Sequence, residues 1–235
     1  MASRVAEVHW TTYLSAFGGL TASVTAVGIA LWTILREKSA RPRLWLGYRH
    51  DLGEDFAVGV MDGTQHWVRL RVHNRKAGRS GRRSADDVEV LVFLASRDGV
   101  SLSQLEGCAF NWSNAFDVEH RPLTRLTIPP GVARRFDLLS IAQPVVSDGG
   151  GGFRAVDDEG APGARAELQV QPKPGDCSHH LKPGSHSLYV VVTARDSDAA
   201  YYDVTINFDG KWRGGDAIRD HLSVTIEGVK MRDAG

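Results

Sequence analysis

Basic residues clustered in one predicted loop are the first candidates for binding chemistry in this sequence. Five positive charges fall close together and are interleaved with Gly and Ser: Arg75, Lys76, Arg79, Arg82 and Arg83. Guanidinium and ammonium groups attract phosphate and carboxylate oxygens, so the loop could contact anionic lipid, a nucleotide or nucleic acid. A solvated hairpin loop is the simpler interpretation. The loop lacks an aromatic residue for base stacking, which argues against nucleic acid as a partner.

Residues that could bind a metal also cluster in the sequence. Thiolate and imidazole groups bind zinc, and four such residues lie together: Cys177, His179, His180 and His186. Their spacing matches no zinc-finger pattern, so we interpret this segment as an exposed loop. Calcium needs several converging oxygens, but the nearby carboxylates are spread over turns and a strand: Asp196, Asp198, Asp203 and Asp209. We therefore predict no metal site and no cofactor.

Sequence signatures of catalysis are missing. There is no Gly-x-Ser-x-Gly nucleophile motif and no phosphate-binding Gly-x-x-x-x-Gly-Lys-Ser/Thr loop. The glycine run at Gly149–Gly152 lacks the lysine and the helix that such a loop requires. We expect a non-enzymatic protein, and an enzyme with a site assembled from distant loops stays open as an alternative.

Aromatic residues in or beside predicted loops could form a surface for a partner, since exposed aromatics often mark such surfaces. They are Trp112, Phe116, Tyr201, Tyr202 and Trp212. Packing of these loops onto the core is the alternative. Combining charge with aromatic character, we predict a ligand or partner surface formed by Arg79, Arg82, Arg83, Trp112 and Trp212.

A long uncharged segment near the N-terminus predicts a membrane anchor. As a helix, residues 13–35 would extend over about 35 Å, against a hydrocarbon core of about 30 Å. A secretory signal peptide would have a shorter apolar region. We therefore predict a transmembrane helix at 13–35 after a short tail, residues 1–12. Basic residues dominate the juxtamembrane segment 36–43, so the positive-inside rule places the N-terminus outside and the C-terminal domain in the cytoplasm.

One side of the predicted anchor carries small residues at helical spacing. Small side chains let helix backbones approach closely. We predict that this face supports self-association, although membrane helices are commonly rich in such residues for other reasons. The residues are Ser15, Gly19, Ala22, Ala26 and Ala30.

The rest of the chain consists of short apolar or alternating runs separated by Gly, Pro, Asp and Asn, a pattern typical of strands. The absence of alternating helices argues against a parallel α/β sheet. We predict an all-β antiparallel sandwich over residues 44–229, with a flexible loop at 144–165 and a tail at 230–235. In its third strand, Trp67, Leu70 and Val72 are predicted to face inward, with a register change near Val68. The predicted strands are 43–48, 56–60, 66–73, 87–95, 123–128, 135–141, 166–170, 187–194, 201–208 and 222–229. A turn is predicted at Pro129–Pro130–Gly131, and a short helix or turn at 216–221.

Three segments of this region carry a resemblance at the level of the fold. They read WVRLRVHNRKAGRSGRRSADDVEVLVFL, LTRLTIPPGVARRFDLLSI and PGSHSLYVVVTARDSDAAYYDVTINF. Together they resemble bacterial immunoglobulin-like sandwich domains, in which a strand ending in Asn leads through a Gly-rich stretch into a strand like DVEV. The resemblance covers roughly residues 44–229 and implies an immunoglobulin-like β-sandwich. It lacks the Cys–Trp–Cys core of antibody-type domains and implies no functional residue.

These features predict a membrane-tethered interaction or sensing module that binds a partner protein or a small ligand. The alternative is an oligomerising membrane effector, triggered when the sandwich binds a ligand such as a nucleotide. The 28 basic and 28 acidic residues cancel, which excludes a strongly basic binder of nucleic acid. Cys108 and Cys177 should be reduced in the cytoplasm, whereas a disulfide between them would indicate an exported domain.

Overall fold

The described residues form one α-helix and a larger β unit. The structure is a computed structural model that describes residues 24–48, 56–60, 63–75, 83–147, 153–156, 161–213 and 215–229. Contacts divide the chain into two units, one with a helix at residues 24–40 and one that begins at Pro42 and contains the strands.

The helix overlaps the predicted anchor only in part, because residues 13–23 lie outside the described residues. It continues to residue 40, five residues beyond the predicted end at Leu35, and a proline at position 42 prevents its further extension. The Arg36 guanidinium lies over the Trp32 ring, 5.2 Å from its centroid. Among the residues described, no helix is both long and apolar enough to cross a membrane.

The β unit is built from short and long antiparallel strands. In chain order they are β1 (Leu44–Gly47), β2 (Phe56–Val60), β3 (Gly63–Asn74), β4 (Ala85–Arg97), β5 (Val100–Ser101), β6 (Ala109–Phe110), β7 (Leu126–Ile128), β8 (Ala133–Ala142), β9 (Val145–Ser147), β10 (Phe153–Ala155), β11 (Ala161–Pro162), β12 (Arg165–Leu168), β13 (Val170–Gln171), β14 (His180–Leu181), β15 (Gly184–Ala194), β16 (Ser197–Phe208), β17 (Lys211–Trp212) and β18 (Leu222–Val229). Two 3₁₀ turns occur at Ser103–Leu105 and Gly215–Asp220.

Most of these strands form two antiparallel sheets. The first sheet has the order β1-β3-β8-β12-β14, with β2 also beside β3. The second has the order β13-β6-β4-β15-β16-β18, with β5 and β7 beside β4. The short pairs β9–β10 and β11–β17 lie outside both sheets. This arrangement confirms the predicted all-β class. The predicted strands all have counterparts, with identical bounds at 56–60 and 222–229 and shifted bounds elsewhere.

The two sheets enclose one apolar core. Its strand residues alternate, as in β15, where Leu188, Val190 and Val192 are fully buried. Aromatic rings fill the end of the core near β6 and β8, with the Phe110 and Phe136 centroids 5.3 Å apart. Such burial is the main source of stability in a sandwich.

The two lateral edges of the β unit differ. At one edge, two segments each pass from one sheet to the other, residues 109–113 and residues 165–171. The two segments are hydrogen-bonded to each other, with the Asn111 N–H donating to the Gln169 carbonyl (3.0 Å). The chain continues alongside β8, where Ser113 N–H donates to the Arg135 carbonyl (3.0 Å). At the opposite edge, β1 and β18 end the pairing order of their sheets within the part of the chain that the structure describes.

The structure corrects the predicted facing of β3. Val68, Leu70 and Val72 are buried in the core, whereas Trp67 lies on the outer face of the first sheet, paired with Ser140. The predicted register change is present, between Val68 and Arg69. The register change results from one extra residue, Leu138, on the partner strand β8. The side chains of β3 therefore keep their alternation through this point, and Trp67 is directed outward.

The segment predicted as a loop at 144–165 also differs. Its described residues include the strands β9, β10 and β11 and the first residue of β12. The predicted turn Pro129–Pro130–Gly131 is confirmed between β7 and β8, with Gly131 at a φ of 77°.

Candidate anion-binding site

A polar pocket opens between β8, the loop segment 113–115 and residues 126–127 of β7. Its volume is about 520 Å³, and we call it the arginine pocket. Its walls come from the outer face of the first sheet and from the segments 113–115 and 126–127. The lining residues are Arg69, Ser113, Asn114, Ala115, Leu126, Thr127, Ala133, Arg134 and Arg135.

A buried ion pair fixes the floor of the arginine pocket. The Arg69 Nε donates to Asp137 Oδ1 at 2.6 Å, and only 9% and 13% of these two side chains are exposed. The Ser113 hydroxyl donates to the same carboxylate oxygen, also at 2.6 Å. The register shift opposite Leu138 makes the pair possible, because it places Arg69 directly across from Asp137. A guanidinium held in this way keeps one orientation.

Two further arginines line the pocket without such compensation. Arg134 is exposed and Arg135 is half-buried. Among the described residues, neither guanidinium has an ion-pair or hydrogen-bond partner. The described lining therefore contains three arginines, and the neighbouring carboxylate of Asp137 already contacts one of them, Arg69. This balance favours an anionic ligand with several oxygens.

Aromatic and basic side chains continue across the outer face of the first sheet, from β8 to β1. In β3, Arg69, Arg71 and His73 occupy alternate positions on this face. On β1, Trp45 pairs with His73, and their ring centroids are 5.0 Å apart. The Arg75 guanidinium lies 5.9 Å from the Trp45 centroid.

The Trp45 indole lies over Gly47, two residues along its own strand. A Cβ atom on Gly47 would come within 2.7 Å of the indole carbon Cη2, so only glycine leaves room for this ring position. About 41% of Trp45 is exposed. The sheet therefore presents a partly open indole surface next to a row of arginines.

The field of these arginines acts on His73. Burial lowers the pKa of this imidazole, and the nearby charges of Arg71 and Arg75 lower it further. At neutral pH the ring is therefore uncharged and can pack against Trp45 without repelling the guanidinium groups.

A second concave surface lies at the open edge between β1 and β18. This groove has a volume of about 1020 Å³ and an apolar lining that includes Trp45, Tyr48, Tyr201 and Tyr202. The Tyr202 hydroxyl accepts a hydrogen bond from the Leu46 N–H (3.1 Å), and burial raises the pKa of that hydroxyl. The groove is wide, and Asp198 is the one charged side chain among its described lining residues. The arginine pocket offers more convergent binding groups.

The structure describes three of the five residues of the predicted binding surface. Arg83 is exposed beside β4, and Arg79 and Arg82 lie outside the described residues. Trp112 and Trp212 are buried, 1% and 4% exposed, so neither offers a surface to a partner. The Trp112 indole N–H donates to the Thr124 carbonyl (3.0 Å), and its ring packs edge-on against Phe136. The alternative interpretation of these two residues, packing of loops onto the core, describes their positions.

The other predicted groups are distributed as follows. Ala26 and Ala30 are exposed on the helix, whereas Ser15, Gly19 and Ala22 lie outside the described residues. Cys108 is buried and Cys177 is exposed, and both are free thiols. His179 is buried against His180, with ring centroids 4.3 Å apart. Within the described part of the chain, no three potential metal ligands converge.

Sequence reasoning missed the arginine pocket. The alternating arginines in VRLRV were interpreted as polar positions between inward-facing residues of one strand, and the pair Arg134–Arg135 was not singled out. The signal that could have identified them is an acidic residue among arginines, since Asp137 lies two residues after Arg135. Which arginine pairs with it depends on the strand pairing.

Comparisons of the chain with protein-family models, with curated proteins and with solved structures gave no match. The site must therefore be interpreted from its own geometry, and the resemblance to immunoglobulin-like domains has no support from a family match.

Proposed function

We propose that this protein is a membrane-tethered, non-enzymatic binding module in which an immunoglobulin-like sandwich binds an anionic ligand at the arginine pocket. The tether is the helix predicted at 13–35, and the basic segment that follows it orients the β unit toward the cytoplasm. The β unit begins at Pro42, seven residues after the predicted end of the anchor at Leu35.

The observation that carries the proposal is the pair of arginines without partners. Arg134 and Arg135 line a pocket beside Arg69, which the buried Asp137 already holds in place. An excess of positive charge in the lining of one pocket is unfavourable. A bound anion would remove that cost, and charge-assisted hydrogen bonds would add to its affinity.

The same geometry supports binding rather than catalysis. Ser113 is the hydroxyl nearest to the ion pair, and its Oγ donates to Asp137. An activated nucleophile needs a base that can accept its proton, and Asp137 is held as the partner of Arg69. We assign Ser113 to the fixing of Asp137.

Calorimetric titration of the full chain in detergent with sodium tripolyphosphate tests the proposal. We expect saturable binding that weakens as salt is added. Arg134→Gln and Arg135→Gln should each raise the Kd about tenfold or more, the size of one charge-assisted contact. Arg195→Gln is the matched control, because Arg195 is an exposed arginine paired with Asp87 on the other sheet. Absence of binding, or an equal loss in the control, would refute the proposal.

Self-association of the tether is a separate part of the proposal. Substituting Gly19 and Ala22 with Leu would fill the face of small residues and should reduce oligomers captured by cross-linking in membranes. Unchanged cross-linking would exclude this face as the contact.

A further inference from the structure

We infer that the anionic ligand is a nucleoside polyphosphate, with its base on the Trp45 indole and its phosphates directed across Arg71 toward Arg135. This inference rests on the proposed anion site and adds a second recognition element to it. The two elements lie on one face of the first sheet, and the pairing register gives their order.

The register places an aromatic surface and two arginines in one row across three strands. Gly47 pairs with Arg71 on β3, and Arg71 pairs with Arg135 on β8. The Trp45 indole occupies the space above Gly47 and therefore stands at the end of this row. The row thus contains the indole, then Arg71, then Arg135, which lines the arginine pocket.

The length of this row suits a ligand with a planar ring at one end and phosphates at the other. Neighbouring strands lie about 4.8 Å apart, so the indole and the Arg135 backbone are separated by about 10 Å. Inorganic phosphate would contact only the arginine end. An uncharged aromatic compound would contact only Trp45. A nucleotide carries both groups, joined by a sugar that would lie near Arg71.

The surroundings of Trp45 are suited to stacking. The lower side of the indole lies against Gly47, and its edge is supported by His73. The Arg75 guanidinium is 5.9 Å from the ring centroid, near the limit of a cation–π contact. A small movement of the exposed Arg75 side chain would make room for a base between its guanidinium group and the Trp45 indole. Both groups stack favourably on a planar π system such as a nucleobase.

Three features favour a free nucleotide over a nucleic-acid strand. The described face offers one open indole, whereas strand binding uses successive aromatic platforms. Trp67, the other tryptophan of this face, is already close to the Arg69 guanidinium, at 6.0 Å. The segments 113–115 and 126–127 border the phosphate end of the row and would obstruct a continuing chain.

The test compares four probes on the full chain in detergent: ATP, tripolyphosphate, adenosine and a ten-nucleotide deoxyadenosine strand. Stacking of one base is expected to make ATP bind about 5- to 150-fold more tightly than tripolyphosphate. Adenosine should bind more weakly than ATP, since it lacks the charges. Tighter binding of the strand than of ATP would overturn the assignment to a free nucleotide.

Two variants locate the base. Trp45→Leu should raise the Kd of ATP to that of tripolyphosphate and leave the Kd of tripolyphosphate unchanged within about twofold. Gly47→Ala should reduce the preference for ATP in the same way, because its new methyl group displaces the indole without changing a charge. Phe93→Leu is the matched control, since Phe93 is an exposed aromatic, 53% exposed, on the other sheet.

The outcomes distinguish this inference from the proposed function. Equal affinity for ATP and tripolyphosphate in the unaltered chain, or a preference that survives Trp45→Leu, overturns the nucleotide assignment and leaves the anion site standing. Failure of both probes to bind overturns both. A preference for ATP that disappears in both variants and persists in Phe93→Leu supports the inference.

Discussion

Replacing Asp137 with Asn tests the central element of the arginine pocket. The substitution keeps the shape of the side chain and removes its charge, so Arg69 remains a buried cation without its counter-ion. Removing one partner of a buried ion pair costs about 3–5 kcal/mol. We expect the free energy of unfolding to fall by about 3 kcal/mol, the lower end of this range, because the amide oxygen can still accept a hydrogen bond from Arg69 or Ser113. For a unit of this size, that loss lowers the Tm by about 6–12 °C.

The matched control is Asp87→Asn, which removes the acidic partner of an exposed pair. The Arg195 and Asp87 side chains are 68% and 48% exposed, against 9% and 13% for Arg69 and Asp137. Exposed pairs contribute about 0–1 kcal/mol, so the Tm should fall by less than about 4 °C. Asp87 has a φ of 52°, a conformation that Asn also tolerates, so no new backbone strain is introduced.

Thermal unfolding of the full chain, followed by tryptophan fluorescence, measures both variants. Repeating the melts in about 0.5 M NaCl separates the two pairs, since salt screens exposed charges more strongly than buried ones. Tm values for Asp137→Asn and Asp87→Asn within about 2 °C of each other would refute the reasoning. Such a result would mean that solvent reaches the Arg69–Asp137 pair and that the pocket has no fixed floor.

Three further predictions concern other parts of the β unit. Asn74→Ala should reduce the free energy of unfolding by about 2 kcal/mol, measured as a lower urea midpoint with an unchanged slope. The reason is that this buried amide donates to two main-chain carbonyls, which would lose their partner. Burial, followed by repulsion from His180, lowers the pKa of His179, so the folded state favours the neutral ring. The stability that His179 contributes is fully present above about pH 6.5 and is lost as the pH falls through the lower pKa of the folded state. The Tm of His179→Gln should therefore fall less between about pH 7 and 5 than the Tm of the unaltered chain. An equal fall in both proteins would contradict the assignment of this pH dependence to His179. A membrane-impermeant maleimide should label Cys177 only in permeabilised cells, because the predicted topology places this exposed thiol inside the cell. Labelling of intact cells that disappears in Cys177→Ser would contradict that topology. Cys108 does not interfere, because it is buried and burial raises the pKa of its thiol.

Much of the fold could be predicted from local pattern. Alternation in SLYVVVTA and YYDVTINF identified β15 and β16, since a two-residue period directs one face toward the core. The prolines and glycine at 129–131 identified the turn before β8, since Pro fixes φ and Gly adopts a positive φ. These signals are local, so they could be recognised without knowledge of the partner strands.

The positions of several aromatic residues depended on the third dimension. Trp112 and Trp212 were predicted in or beside loops as part of a partner surface, with packing onto the core as the alternative, and both lie in the core, where Trp112 pairs with Phe136 and Trp212 with Ala161. Trp67 was assigned to the core, and the extra residue Leu138 on the opposite strand directs it outward. A shift of one residue changes which face a side chain occupies, and the sequence of a strand does not contain the bulge of its neighbour.

The sequence by itself determined the strand content, the turns, the uncharged N-terminal segment and the balance of charge, because each depends on residues close together in the chain. Only the tertiary structure decided which charges meet. Arg69 and Asp137 are 68 positions apart, and their contact exists because β3 and β8 pair in a shifted register. The same pairing aligns Gly47, Arg71 and Arg135 across three strands. A site made of single residues from several strands is encoded in the pairing of the sheet, which no local pattern specifies.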